Sequence, residues 1–449
     1  MPDHVGGLIV PVIMVRQGSV SWQNWAGTYS VTPARIQHPS SPEEVVEAVS
    51  RAAQENLSVK AVGAGYSSND IAVTRGVMLD LSRLTGILSA DQRTGLVTVA
   101  AGTTLHELNH ALWELGLSLS CLGNLDAATI AGAIATGTHG TGRRYGGLGS
   151  QVRGLQLVTA DGQLLNCSVK QHPELFAAAR VSLGALGIIT AVTLQCEPAF
   201  VLHSFEAPAD YEDLLEVLAR LELRDHFEFL WFPHTRRVLT KVQTRLPPDA
   251  PLQPLSPVRG WYDDKVLGSV FSAMNRLSTA WPGVTGKVNR MATRALPERS
   301  YTDRAYRVVT SSRRVVFRQM EYAVPRASVA HVLDEIDDWL QRSGEQIAFP
   351  VEVRLTAADN IPLSPAFGRE TCWVAVHQYH RRSHDQYFAA VEAIAREAGG
   401  RPHWGKLHYR TAEDLAPSYP LFEEFLAVRD TYDPERRFSN DYLRRVLGS

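Results

Sequence analysis

The sequence predicts an α+β protein in two parts: a nucleotide-binding domain that mixes strands and helices, then a domain built on an antiparallel sheet. Three observations carry this. At 449 residues the chain is too long for one ordinary core. Up to about residue 200, helix-period and strand-period segments mix around two glycine clusters. After Pro198 the pattern shifts to strands with covering helices. The division therefore falls at 15–200 and 201–400.

Taken in order, Leu8–Val15 is apolar but far too short to span a membrane, and no Lys or Arg precedes it as a signal peptide requires. Met14 is a second candidate start. Ser41-Pro-Glu-Glu opens a helix, with an N-cap serine, proline in the first position and acids in the first turn. Val45, Val46, Val49 and Ala53 then keep helical spacing. Val77–Leu81, Leu96–Ala100 and Ile188–Leu194 read as strands, and Thr104–Leu115 as a helix. Gln151–Leu165 reads as two strands around the turn Ala160-Asp-Gly162. Further on, 247–262 are rich in proline and turn formers, and 263–300 read as irregular helix. Tyr306–Val324 and Ile347–Leu355 read as sheet, Val329–Arg342 and Tyr387–Glu397 as covering helices.

Composition excludes several classes. Apolar residues make up 45% and charged residues 20% of the chain, as in ordinary globular proteins. A formal net charge of −2 gives no reason to expect nucleic acid or an anionic surface as partner. Cys121, Cys167, Cys196 and Cys372 lie far apart, with neither a metal-ligand spacing nor a disulfide framework, and fit a reducing cytoplasm.

Residues 123–142 carry the most chemistry. Ala131, Gly132, Ala133, Ala135, Gly137, Gly140 and Gly142 leave little side chain to fill a core but let backbone approach a flat or charged ligand closely. Thr136, Thr138, Thr141 and His139 add polar groups. The plain alternative is a small-residue turn between packed elements. Upstream, Gly63-Ala-Gly-Tyr-Ser-Ser68 follows the apolar run Leu57–Val62, and successive N–H groups in such a turn suit a pyrophosphate. It is not a P-loop, because no Gly-Lys-Ser/Thr ends it. It is not a Rossmann fingerprint, because Ser68 holds the third-glycine position and a strand-like segment follows where a helix is needed. Near the end, Arg401-Pro-His-Trp-Gly-Lys406 gains meaning only beside these two loops. Glu352 and Arg354 stand two apart on an expected strand, so both point to one face, and Val351, Val353 and Leu355 bury the other. A surface ion pair is the plain alternative. His377 and Tyr379, on the next apparent strand, are candidates of the same kind.

With these pieces together, the chain resembles the FAD-dependent vanillyl-alcohol-oxidase superfamily, and within it the sugar-lactone and alditol oxidase group. Gly63–Ser67, Gly123–Gly142, Ser182–Thr190, Phe227–Pro233, Met320–Pro325, Val351–Arg354, His403–Lys406 and Phe438–Leu443 carry the resemblance, from about residue 30 to the C-terminus. It implies a two-part FAD-binding domain of that type, with 401–449 returning to it. It implies that Gly63, Ala64, Gly65, Tyr66, Ser67 and Ser68 cradle the pyrophosphate. Gly123, Asn124, Thr129, Gly132, Thr136, Gly137, Thr138, His139 and Gly142 would follow the diphosphate and ring, Ile188 and Ile189 the adenine end, and His403 the ring face. Lys406 would sit near flavin N1 and the substrate oxygen, where hydride arriving at N5 leaves negative charge and a fixed cation stabilises it. Glu352 and Arg354 would hold substrate hydroxyls, with His377 and Tyr379 as further substrate contacts; Glu352, Arg354 and Lys406 form the catalytic set.

The expected activity is oxidation of a hydroxyl of a polyol or aldonolactone, with molecular oxygen as acceptor and hydrogen peroxide as product. Two alternatives stand beside it: a dehydrogenase of a larger glycosyl or natural-product substrate with poor oxygen reactivity, and a non-catalytic sugar-binding protein. Two positions bear on these readings. Many members have a histidine bonded covalently to the flavin where this chain has Tyr66, which implies non-covalent FAD. Gly123 stands where the resemblance puts the flavin's oxygen-reacting face, and a residue without Cβ leaves that face open.

Overall fold

The computed structural model describes residues 13–16, 19–221, 224–256, 268–310 and 315–449. The first part is built on two sheets. Arg35–Gln37, Val77–Asp80 and Val59–Val62 form a parallel three-stranded sheet. Five antiparallel strands run in the order Leu164–Ser168, Val152–Val158, Ile188–Gln195, Leu96–Ala100, Ile87–Asp91. Helix Pro42–Gln54 starts where expected, with the Glu44 N–H donating to the Ser41 hydroxyl, and buries Val45, Ala48, Val49 and Ala52. Helix Leu105–Glu114 starts in a capping box between Thr104 and Glu107. One hydrophobic core joins these elements to residues from the far end of the chain, among them Leu415, Phe425, Phe438, Tyr442 and Val446.

The second part is an eight-stranded sheet, antiparallel throughout, in the order Arg299–Arg304, Val201–Asp210, Arg237–Leu246, His226–Phe232, Val351–Thr356, Thr371–Tyr379, Phe317–Pro325, Arg401–Pro402. Register sorts its residues strictly by face. Phe227, Phe229, Met320, Tyr322, Val351, Val353, Val374 and Val376 share one face, packed under helices Val329–Ser343 and Asp385–Glu397. Burying each such side chain contributes about 1.5–3 kcal/mol. Glu228, Lys241, Gln319, Glu321, Arg354 and Trp373 project from the other face, toward the first domain.

Two local readings change and two are sharpened. Within Tyr306–Val324, residues Ala305–Val309 form a short helix and the strand begins at Phe317. Ala305, Tyr306 and Val308 are buried in the first domain's core, and that packing overrides the strand preference of two valines. Within Ile347–Leu355 the strand begins only at Val351, after Pro350, which has no N–H for the ladder. Within the second glycine cluster, Ile130–Ala135 is a one-and-a-half-turn helix capped by Thr129. In 263–300, helices Gly268–Ala280 and Thr285–Arg294 are separated at Trp281-Pro282. The start of that stretch, the end of 247–262 and most of the apolar run Leu8–Val15 lie outside the described residues. Among the described residues, no helix is long and apolar enough to cross a membrane.

Candidate active site

A cleft with about 1450 Å³ of empty space, part of it open to solvent, is lined by residues of both parts. Its floor is the two glycine loops. They touch at one point: a Cβ added to Gly63 would lie 2.2 Å from the Thr129 hydroxyl, so only glycine lets the loops meet. That hydroxyl caps helix Ile130–Ala135 by accepting from the Gly132 N–H. Gly65 takes a left-handed φ of +63°. The first loop is held from outside. Trp25 N–H donates to the Gly65 carbonyl, Asn24 to that of Ser67 and Thr28 to that of Ser68, while the Ser68 N–H donates to Gly405. Asn69 reaches across to the carbonyls of Trp404 and Lys406.

Also lining the cleft, the Lys60 ammonium is buried against three carbonyls: Leu183 at 3.4 Å, Gly184 at 3.3 Å and Phe438 at 3.2 Å. Burial pushes its pKa down to about 7, against a smaller opposing pull from Asp433.

The roof is the polar face of the large sheet with the segment His403–Lys406. Lys406 Nζ donates to Gln319 Oε1 at 2.6 Å. Arg354 donates through Nε to Glu228 at 2.9 Å and through Nη2 to Glu352. Glu228 also pairs with Lys241 at 3.1 Å. Burial opposes the charge on Glu228, but Lys241 and Arg354 outweigh it and hold its pKa at about 2. Burial also opposes the Arg354 charge, and Glu352 and Glu228 restore it above the ordinary range. His403 is buried and pushed down to about 3, chiefly by that burial.

The structure brings together on this cleft Gly63, Ala64, Gly65, Tyr66, Ser67, Asn124, Thr129, Gly132, Thr136, Thr138, His139, Ile188, Ile189, Arg354, His403 and Lys406. The other expected residues stand just off it. Ser68 turns into the clamp on the first loop. Gly137 ends the short helix with φ +74°. Gly142 ties its loop to the sheet through an N–H bond to the Leu355 carbonyl, and a Cβ there would strike Tyr145 and the Asp225 carbonyl. Gly123 lies behind Thr138, whose Cγ2 a Cβ would meet at 3.1 Å. Glu352 reaches the cleft only through Arg354. His377 packs against the rings of Phe317 and Phe349, and Tyr379 against His380. Sequence reasoning missed Lys60, Gln319, Glu321 and Glu228 as site residues. The available signal was a charged or amide group inside an otherwise apolar run, as at Gln319-Met-Glu-Tyr-Ala-Val324 and Phe227-Glu-Phe-Leu-Trp231.

Two glycine loops meet edge to edge beneath the charged face of a large antiparallel sheet, and comparison with known proteins identifies this as the FAD-binding fold of the vanillyl-alcohol-oxidase type. Cholesterol oxidase from B. sterolicum has the same fold: TM-score 0.80 over 95% of this chain and 96% of that one, at 19% identity. The chain belongs to the D-arabinono-1,4-lactone oxidase family, which residues 192–446 match, while residues 33–168 match an FAD-binding domain family. It is 42% identical to an L-gulono-1,4-lactone dehydrogenase of Mycobacterium tuberculosis, over 95% of this chain and 99% of that protein. It is 37% identical to an L-gulonolactone oxidase of Bos taurus (95% and 98%) and 32% to an alditol oxidase of a Streptomyces species (96% and 99%). It is an FAD-dependent oxidoreductase acting on CH–OH groups.

Proposed function

We propose that the protein oxidises a hydroxyl of an aldonolactone or polyol, holds FAD without a covalent bond, and returns the electrons to oxygen as hydrogen peroxide. The observation that carries this is the sharing of one cleft by two different surfaces. One is a groove built largely from the two glycine loops, lined by Lys60, Ile188 and Thr138 among others. The other is a cluster of Lys406, Gln319, Glu321 and Arg354 at its end. The residues fit FAD: both glycine loops line the empty cleft, and loop N–H groups suit its diphosphate.

Bound FAD supplies the hydride acceptor, N5. Lys406 and Arg354 orient and polarise the substrate oxygen in a site where low dielectric strengthens each contact. Glu352 acts through Arg354, fixing its fork, and His377 and Tyr379 back the same wall. The domain plan that goes with this reading is 15–200 with 401–449 around the cofactor and 201–400 over the substrate. Non-covalent attachment is supported by Tyr66 on the first loop, and by His139, whose two ring nitrogens are both engaged by protein acceptors. Four free, buried thiols support a reducing compartment such as the cytoplasm. The dehydrogenase among the relatives favours a second reading, in which another oxidant replaces oxygen.

The test is a purified, yellow protein screened anaerobically against aldonolactones and alditols. Bleaching by one of them, followed by peroxide formation in air, is expected. Acid precipitation should release all the flavin. Flavin that stays with the denatured chain overturns the non-covalent reading, and reduced flavin that persists for minutes in air overturns the oxidase reading.

A further inference from the structure

Glu321, at the charged end of the cleft, also belongs to a second cluster. His139, Glu321 and His403 are buried, and each places a nitrogen or carboxylate oxygen within 4.8 Å of the others. Such a trio is the raw material of a metal centre. The hydrogen bonds argue against a metal. His403 Nδ1 accepts from the Gly405 N–H at 3.0 Å, so the neutral ring carries its hydrogen on Nε2. A metal on Nδ1 breaks that bond. A metal on Nε2 moves the hydrogen to Nδ1 and sets it against the Gly405 N–H.

His139 has the opposite surroundings. Its Nδ1 lies 3.0 Å from the Gly140 carbonyl and its Nε2 lies 3.1 Å from Glu321 Oε1. Both neighbours are acceptors, and a neutral imidazole has one N–H. Both bonds are made only if the pair carries one further proton. The ring lies flat on Trp373, centroids 3.7 Å apart and planes 10° apart, where the indole face favours a cation. Its side chain is 2% exposed and that of Glu321 4%, so each charge would be costly without the other. Burial raises the Glu321 carboxyl, but His139, with His403 and Lys406, holds it well below the usual carboxylate range.

We propose that His139 and Glu321 form one buried imidazolium–carboxylate pair, with a proton where a metal would otherwise sit, and that the pair sets how readily the flavin is reduced. The inference rests on the reading that the cleft seats FAD. Both residues line it. Left alone, the Glu321 carboxylate would oppose electrons arriving on the ring. His139 cancels that charge and acts as a positioning residue, touching the reaction through Glu321.

The test compares single and double variants in the ratio of reduced to oxidised flavin, poised with a reference dye at the wild-type midpoint. His139→Phe keeps the stack on Trp373 and strips the carboxylate of its partner; the ratio should fall at least tenfold, about 30 mV for a two-electron couple. Glu321→Gln should raise the ratio, and the double variant should return to within threefold of wild type. Single variants that shift the same way, or a His139→Phe ratio within twofold of wild type, overturn the proposal. Should a variant fail to fold, ¹⁵N-histidine spectra of the wild type decide: two protonated ring nitrogens on His139 are expected, and one bare nitrogen refutes the pair. Zinc titration of the holoprotein should leave less than a tenth of an equivalent after dialysis; one equivalent, lost in Glu321→Gln, would mean a metal site instead. If the chain takes up no FAD, it is the cofactor reading that fails, and the nitrogen spectrum still reads the pair.

Discussion

The two walls of the cleft are made by different means. The wall we assign to the cofactor is mostly backbone: Gly63, Gly65 and the helix Ile130–Ala135 bring N–H groups and small surfaces to the cleft, and the buried Lys60 ammonium is met by carbonyls. The wall we assign to the substrate is side chain: Glu228, Lys241, Glu352 and Arg354, drawn from separate strands and interlocked by ion pairs, with Glu321 and Lys406 lining the same cleft beside Arg354. A wall of the first kind fails by steric intrusion and a wall of the second by loss of charge balance.

That contrast can be tested from its strongest expected effect downward. Glu228→Gln leaves Lys241 and part of Arg354 without their carboxylate, and breaking a buried pair costs about 3–5 kcal/mol. The sign with pH follows. Glu228 is held at about 2, below its ordinary 4.5, so its contribution is complete above pH 4.5 and is lost as pH falls through 2. Chemical denaturation should show the variant weaker at neutral pH and the gap closing in acid; a gap of equal size at pH 7 and pH 2.5 would count against the pairing.

Lys406→Ala removes a donor at the reacting end and should slow flavin reduction by substrate about a hundredfold, about 3 kcal/mol, with FAD content unchanged. Stopped-flow reduction at the wild-type rate would place Lys406 away from the chemistry. On the cofactor wall, Gly63→Ala drives a methyl into Thr129, an intrusion worth about 1–3 kcal/mol, and should weaken FAD retention at least tenfold in equilibrium dialysis. Full flavin loading after purification would show that the loops separate cheaply. Gly123→Ala is the mildest. Its methyl meets Thr138 Cγ2 at 3.1 Å and would nudge a residue that lines the cleft. Reoxidation by oxygen should slow more than tenfold while anaerobic reduction is nearly unchanged; equal reoxidation would free Gly123 from any role in oxygen access.

The two walls also differ in how far they were legible. Backbone-built features leave local marks, so the loops at 63–68 and 123–142, the cap at Ser41, and the strands near 77–80, 96–100, 152–158 and 188–195 were readable from contiguous residues. The charged wall was only half readable. Glu352 and Arg354 share a strand, and their common face follows from alternation. Their link to Glu228 depends on strand order and register between segments more than a hundred residues apart, which no local pattern records. For the same reason the pairing of Glu352 with Arg354 and the packing of His377 against Phe317 and Phe349 were not readable from local spacing. Helix Ala305–Val309 was missed because its partners lie in the other domain's core.

Lys60 joins the two ends of the chain in a way that bears on biosynthesis. Its three carbonyl partners come from Leu183, Gly184 and Phe438, the last nearly four hundred residues further along the chain. A nascent chain that already displays both glycine loops still lacks one of the acceptors around that ammonium. Flavin loading is therefore expected only once Phe438 has been made and has docked. A chain clipped before Phe438 should emerge colourless even with every loop residue intact.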